Sequence, residues 1–245
     1  MIGIVGFGRF GKLMAEYLSL DFDVWVCDVV DKSDDIKACG ALPASLKEVC
    51  RQDIVILPVP ISALRPLLKT INPLLREKAV VIDVCSVKAY PVQWMKDLLP
   101  DNVSILATHP MFGPDSAADS LQGRKIALCK VRIDDKLYEK ISSYLSAKGL
   151  RVIETTPREH DKQIAVSLAL THFIGRSLSE FGADNLAMDT EGYKRLLHIL
   201  EVVEHDTWQL FADMHHYNPY AREKRAAFVK AMRSIEDRLT PNENA

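Results

Sequence analysis

A histidine at the end of a predicted strand is the first candidate for chemistry in this chain. Residues 108–114 read THPMFGP and follow an apolar run over residues 103–107 that predicts a strand. Two prolines and a glycine disfavour regular structure, so we expect His109 on a stiff loop directly after the strand. Ligands gather at the carboxyl ends of strands in open α/β sheets, and imidazole titrates near neutral pH. His109 is therefore predicted to accept or donate a proton in a ligand-binding site.

A glycine motif near the start of the chain predicts a dinucleotide site. Residues 6–11 read GFGRFG, follow a predicted strand and open a predicted helix, which is the context that a GxGxxG motif requires. The first glycine makes a tight turn, the second admits a pyrophosphate, and the third lets helix and sheet approach. The phosphates then meet free N–H groups at the helix N-terminus. The predicted cofactor contacts in this loop are Gly6, Gly8, Arg9, Phe10 and Gly11.

Asp28 indicates which dinucleotide binds. It ends the second predicted strand, 22 residues after Gly6. A carboxylate there accepts hydrogen bonds from the ribose hydroxyls and repels a 2′-phosphate. The nearest following cation is Lys32, so we predict NAD, with NADP less favoured. After another predicted strand, Pro58, Val59 and Pro60 form either a loop beside the nicotinamide or a simple turn between strand and helix.

The pattern of apolar residues predicts the domain organisation. Residues 1–155 alternate short apolar runs with amphipathic stretches, which predicts an α/β fold with a doubly wound parallel Rossmann sheet. The predicted strands cover residues 2–5, 24–27, 54–58, 80–84, 105–107 and 126–129. The predicted helices cover residues 10–18, 45–50, 61–71, 92–98 and 135–148.

An all-helical domain is expected over residues 156–239, and residues 240–245 are expected to be a tail. Long helices are predicted over residues 159–182 and 192–216, with another from Pro219 to about residue 238. So few helices bury little apolar surface when they pack only against one another. We therefore expect them to bury apolar surface against the first domain and against a second copy, giving a homodimer.

Bulk properties exclude several classes of protein. The formal net charge of −2 gives no reason to expect nucleic acid, and no apolar run reaches the length of a membrane span. Met1 leads directly into a predicted strand, and none of the five cysteines is in CxxC spacing. These features favour a cytoplasmic protein with reduced thiols. We expect a small-molecule substrate, no nucleic acid or membrane partner, and no metal.

Several motifs together resemble one enzyme family. Residues 83–88 read DVCSVK, and with the glycine motif and THPMFGP they resemble the arogenate/prephenate dehydrogenase family of tyrosine biosynthesis. The helical half continues the likeness, with HD at residues 160–161 and THFIGR at 171–176. GYKRLL at 192–197 and YNPYA at 217–221 are most similar to its plant-like arogenate dehydrogenase branch.

The resemblance implies an NAD(P)-dependent oxidative decarboxylation, of arogenate to tyrosine or of prephenate to 4-hydroxyphenylpyruvate. His109 would accept the ring hydroxyl proton, Ser86 would position His109 or that hydroxyl, and His172 would line the pocket floor. Arg176 is the first choice to bind a substrate carboxylate, before Arg195, Arg222 and Arg225. Asp206 would pair with the ammonium of arogenate, or would simply cap the helix through Trp208. The predicted substrate contacts are Ser86, Lys88, His109, Gly113, His172, Arg176 and Asp206.

Two other functions stay open from the residues alone. A β-hydroxyacid dehydrogenase of the same architecture would use a lysine on the first long helix after the Rossmann domain, and Lys162 occupies such a position. A non-catalytic NAD-sensing dimer would bind the dinucleotide without turnover. The presence of Ser86, His109 and His172 together favours an enzyme over a sensor.

Overall fold

The computed structural model describes residues 1–204 and 206–240, without the side chains of Val202 and Glu204. The chain divides into two compact units, with the boundary between His160 and Asp161. This boundary lies five residues beyond the expected one after residue 155. His205 and residues 241–245, most of the expected tail, lie outside the described residues.

An eight-stranded sheet forms the centre of the first unit, in the order β3-β2-β1-β4-β5-β6-β7-β8. Among the described residues, β6–β7 is the one antiparallel pair, so the predicted doubly wound parallel sheet is confirmed apart from this pair. The strands are β1 Ile2–Val5, β2 Val24–Cys27, β3 Leu42–Pro43, β4 Ile54–Leu57, β5 Val80–Asp83, β6 Ser104–Pro110, β7 Lys125–Arg132 and β8 Arg151–Glu154. The short edge strands β3 and β8 were not predicted.

Helices flank this sheet, because the central strands are buried on both faces and need apolar cover. Ile4, Val26, Leu106 and Leu128 have no measurable exposure. The helices are α1 Arg9–Leu18, α2 Ser33–Ala38, α3 Leu46–Val49, α4 Ile61–Ile71, α5 Ala89–Leu98, α6 Pro114–Ala117, α7 Asp135–Ala147 and α8 Pro157–Ile164, the last containing the boundary between the units.

Strand β6 is longer than predicted. We expected irregular structure from Thr108 onward, and this is wrong for residues 108–110. His109 is paired with Ala127 and Pro110 with Ile126, both on the antiparallel strand β7. A proline is tolerated at the end of a strand, since it removes only one ladder donor there. His109 therefore belongs to a strand, where its backbone is more tightly held than on a loop.

In its described residues, the second unit contains a π-helical segment over Ala165–Leu170 and four further helices. These are α9 Thr171–Phe181, α10 Glu191–Glu204, α11 Trp208–His216 and α12 Ala221–Leu239. The single helix predicted over residues 192–216 is wrong. Helix α11 starts anew, with the Thr207 hydroxyl accepting from the backbone N–H of Leu210 at 3.2 Å. Thr207 is the N-cap of α11, and Asp206, the acid proposed for that role, precedes it.

Gly11 offers a test of how tightly α1 packs on the sheet. A Cβ at Gly11 would lie 2.1 Å from the carbonyl oxygen of Gly6, whereas a Cβ at Gly8 would meet no atom within 4 Å. We expect Gly11→Ala to lower the free energy of unfolding by about 1–3 kcal/mol, the usual cost of overpacking. Gly8→Ala is the matched control and should leave it near wild type. Urea unfolding measures both, and equal stability of the two variants would contradict the packing.

Candidate active site

One edge of the sheet gathers the predicted functional residues of the first unit. The adjacent strands β1, β4, β5 and β6 run parallel, so their carboxyl ends meet at the same edge. The glycine loop follows β1, residues 58–60 follow β4, residues 84–88 follow β5, and His109 lies near the end of β6. The strand order changes direction between β1 and β4, which is where open α/β sheets bind ligands.

The glycine loop has the form that a dinucleotide pyrophosphate requires. Gly6 has a φ of +110°, and a Cβ there would lie 2.8 Å from the carbonyl oxygen of Pro58. Gly8 precedes α1 without a side-chain cap, and the first turn of α1 carries no acidic residue. The open space at Gly8 and the uncapped N–H groups suit a phosphate at the helix N-terminus. The residues present therefore fit the predicted cofactor.

The Asp28 carboxylate holds the glycine loop. It accepts hydrogen bonds from the backbone N–H of Phe7 and, at 3.1 Å, from that of Val30. The Lys32 ammonium donates to the carbonyl of Phe7 at 2.9 Å. A carboxylate has about four acceptor positions, so these two bonds leave Asp28 capacity for a ribose hydroxyl.

Arg9 and Phe10 contact the segment that follows His109. The Arg9 guanidinium forms an ion pair with Asp115 on α6, and the ring of Phe10 lies 6.0 Å from that of Phe112. Gly113 precedes α6, and a Cβ there would meet no atom within 4 Å. The predicted cofactor loop and the segment after the candidate base therefore pack together within the first unit.

Lys88 is enclosed, contrary to the substrate contact expected of it. Its side chain has 0% exposure, and its ammonium is bonded to the Asp83 carboxylate and to the carbonyl of Thr108. The Thr108 hydroxyl in turn donates to the Asp83 carbonyl at 2.7 Å. These contacts tie the end of β5 to the end of β6, one residue before His109. The structure therefore encloses the Lys88 side chain in a contact between two strands and leaves none of its surface open.

His109 is buried beside a second histidine. Its side chain is 5% exposed, and its Nδ1 lies 2.9 Å from Nε2 of His160. Burial lowers the pKa of His109 well below its ordinary value, and the neighbouring His160 and Lys88 add to this effect. The imidazole is therefore neutral at neutral pH, as a general base must be. Sequence reasoning noted His160 only as part of the HD motif and missed it as a site residue, because its contact with His109 spans 51 positions of the chain.

Ser86 carries a hydroxyl that stays available. Its Oγ is buried, and within residues 1–204 and 206–240 it has no hydrogen-bond partner. The hydrogen bond to His109 that would position the base is therefore not formed here. An unpaired buried hydroxyl is costly unless a ligand or water completes it.

The second unit brings three of the predicted residues together. His172 and Arg176 lie one turn apart on α9, as their spacing predicts. Nδ1 of His172 is 3.6 Å from the Asp206 carboxylate, and the Arg176 guanidinium donates to the Asp206 carbonyl. Burial lowers the pKa of His172, while the Asp206 carboxylate opposes this shift. Nε of Arg176 is buried, with no partner among the described residues.

A cavity of about 400 Å³ in the second unit is rich in cations. Arg225 lies in its wall and contacts Nδ1 of His215 at 2.8 Å. Burial, followed by the Arg225 charge, lowers the pKa of His215 to about 4. Arg195, another carboxylate candidate, is exposed on α10. The cavity is lined by Phe173, Arg222, Arg225, Ala226, Val229, Lys230 and Arg233.

In the described ranges no helix combines the length and apolar character of a membrane span. Side chains described there form no group of three or more His, Cys, Asp or Glu that could hold a metal ion.

Comparison with protein families points in one direction. The profile of the prephenate dehydrogenase nucleotide-binding domain matches residues 28–154. A second profile, of the TYRAAT1-like C-terminal domain, matches residues 177–245. Together these two matches cover most of both units.

Individual relatives agree with the profiles. Arogenate dehydrogenase 2, chloroplastic, from Arabidopsis thaliana is 32% identical over 97% of this chain and 69% of its own length. Arogenate dehydrogenase 1, chloroplastic, from the same plant is 31% identical over 97% of this chain, which spans 39% of that relative. The fold matches prephenate dehydrogenase from Aquifex aeolicus in complex with hydroxyphenyl propionate and NAD+, with a TM-score of 0.76 at 21% identity over 96% of this chain and 88% of that one.

The Lys88–Asp83 pair is open to a direct test. We expect Lys88→Met to lower the free energy of unfolding by about 3–5 kcal/mol, because it leaves the Asp83 carboxylate buried without its partner. Lys130→Met is the control, since it removes a similar pair with Asp135 in which both side chains are exposed, and such pairs contribute little. Urea unfolding should separate the variants clearly. Equal loss in both would show that burial of the pair is not important.

Proposed function

This chain belongs to the arogenate and prephenate dehydrogenase family, and we propose that it decarboxylates arogenate oxidatively to tyrosine with NAD, taking prephenate as a second substrate. The observation that carries the proposal is the neutral, buried His109 at the sheet edge that also bears the glycine loop. A β-hydroxyacid dehydrogenase acting through Lys162 is not favoured, because the sequence relatives above are arogenate dehydrogenases.

The reaction needs one proton and one hydride to leave the substrate ring. A dinucleotide held by the glycine loop would supply the acceptor for the hydride from the ring carbon that bears the hydroxyl. Nε2 of His109 accepts the hydroxyl proton, which its lowered pKa allows because the imidazole is unprotonated at neutral pH. Loss of both gives a dienone, and this electron sink expels CO₂ as the ring becomes aromatic. The unpaired Ser86 hydroxyl is proposed to hydrogen-bond the same ring hydroxyl.

Residues of the helical unit are proposed to bind the charged groups of the substrate. His172 lines the pocket floor in this proposal, and Arg176 binds a carboxylate through Nε, which no described residue engages. Arg222 and Arg225, which line the cationic cavity, are the alternative carboxylate ligands. The Asp206 carboxylate pairs with the arogenate ammonium, a group that prephenate lacks.

NAD is proposed over NADP on the evidence of Asp28. Its carboxylate accepts from two backbone N–H groups of the region that would surround the adenosine ribose. A negative charge there repels a 2′-phosphate. Lys32, the nearest following cation, donates to the Phe7 carbonyl.

A homodimer is proposed through the helical unit. Met232, Ile235 and Leu239 recur at helical spacing along α12, and Ile235 is 57% exposed. An exposed apolar stripe of this kind is typical of a helix that packs against a partner.

The cytoplasm is proposed as the compartment, although the two plant relatives are named as chloroplastic. Imaging of a tagged chain in its native cell tests this proposal.

Steady-state rates test the activity. Reduction of NAD and NADP is followed by absorbance with arogenate, prephenate and a 3-hydroxy acid. The highest kcat/KM is expected for arogenate with NAD. Reduction with the 3-hydroxy acid alone would favour the β-hydroxyacid dehydrogenase, and NAD binding without turnover of any substrate would favour a sensor.

Replacing His109 tests the base. We expect His109→Asn to lower kcat by about 10²–10⁴, the usual contribution of a general base, with NAD affinity near wild type. His198→Asn is the control, because His198 is exposed on α10. Activity of a tenth or more of wild type in His109→Asn would contradict the proton-transfer role.

Substitutions on α12 test the proposed homodimer. Ile235→Lys places a charge in the exposed apolar stripe, so we expect it to shift sedimentation toward the monomer. Arg233→Lys, also on α12, keeps its charge and should sediment as wild type does. A wild-type chain that sediments as a monomer would refute the proposal.

A further inference from the structure

Two buried histidines share one hydrogen bond in the first unit. His109 and His160 are 5% and 4% exposed, and their rings are steeply inclined, with centroids 5.1 Å apart and planes at 75°. Nδ1 of His109 and Nε2 of His160 are 2.9 Å apart. Throughout residues 1–204 and 206–240, this is the one hydrogen bond made by the His109 side chain.

The position of the proton in this bond decides what His109 can do. If Nδ1 of His109 carries the proton, neutral His109 has a free lone pair on Nε2 and can accept a proton there. If Nε2 of His160 carries it, neutral His109 must be protonated on its own Nε2 and can only donate there. Only the first arrangement supplies a base.

We propose that His160 is a positioning residue that accepts the Nδ1 proton of His109 and thereby keeps the Nε2 lone pair free for the substrate hydroxyl. The inference rests on the function proposed above. The proton balance is simple: Nε2 takes the hydroxyl proton, the imidazolium keeps its Nδ1–H bond to His160, and loss of the Nε2 proton to water restores the base.

A neutral acceptor suits the charges near His109. Burial is the main factor that disfavours the His109 imidazolium, and the neighbouring His160 and Lys88 add to it. The carboxylate of Asp83 is paired with Lys88. A carboxylate in place of His160 would stabilise the imidazolium and raise the pKa of His109. A histidine orients the ring in the same way and adds no negative charge.

Two substitutions separate orientation from packing. The amide oxygen of His160→Gln can stand where Nε2 stands and accept the same hydrogen bond, whereas His160→Phe keeps a ring without an acceptor. We expect His160→Phe to lower kcat by about 10² or more, within the range of a lost general base, with NAD affinity and thermal stability near wild type. His160→Gln should recover most of that rate. Wild-type kcat in His160→Phe would overturn the proposal.

The pH profile gives a readout that packing alone would not move. Because the pKa of His109 is lowered, kcat/KM of the wild type should fall only as the pH drops well below 6.5, the ordinary value. His160→Glu places a carboxylate beside Nδ1 and raises that pKa, so the acidic limb should move to higher pH. An unchanged limb in His160→Glu would contradict the hydrogen bond.

Nitrogen NMR of histidine-labelled protein tests the tautomer directly. His109, assigned through His109→Asn, should show a protonated Nδ1 and an unprotonated Nε2 at neutral pH. The opposite tautomer would refute the role of His160. This measurement needs no substrate, so it decides the tautomer even if the proposed activity fails. It uses the wild-type protein, so it remains valid if a His160 variant does not fold.

Discussion

The buried ion pair between Lys88 and Asp83 is the constraint on which the candidate site depends. An enclosed ammonium is stable only with an opposite charge and with its remaining protons bonded. The Asp83 carboxylate supplies the opposite charge, the Thr108 carbonyl accepts a second proton, and these two residues lie on neighbouring strands. Since His109 follows Thr108 directly, the backbone that carries the candidate base is held by a contact that solvent does not reach.

The same enclosure sets the charge of the base. Low exposure and a nearby cation both disfavour an imidazolium, so His109 remains neutral without a carboxylate partner. At the end of β5 and directly after it, two buried polar atoms have no hydrogen-bond partner among the described residues: one Asp83 oxygen and the Ser86 hydroxyl. Strand β5 pairs with β6, the strand that carries the candidate base. A site that is rigid in its backbone but incomplete in its hydrogen bonds is organised for a polar ligand.

Sequence patterns report local geometry, and the limits of the prediction follow from this. Consecutive apolar residues in β1 and β4, and the spacing of Gly6 and Gly11, located the sheet edge correctly. The extension of β6 through Pro110 depends on the antiparallel partner β7, which no local pattern of prolines can reveal. The burial of Lys88 and the pairing of His109 with His160 likewise depend on contacts between distant positions. Lysine is rarely buried, so an exposed, substrate-facing role was the reasonable expectation.

The break between α10 and α11 has a consequence for substrate recognition in the proposed reaction. A continuous helix would have engaged the Asp206 carbonyl in its own hydrogen bonds, but the break leaves it to accept the Arg176 guanidinium. The Asp206 carboxylate, meanwhile, lies near His172. One cation and one anion are thus held close together on adjoining segments of the second unit. That combination matches a substrate with both a carboxylate and an ammonium, because a keto acid would leave the Asp206 charge without a partner.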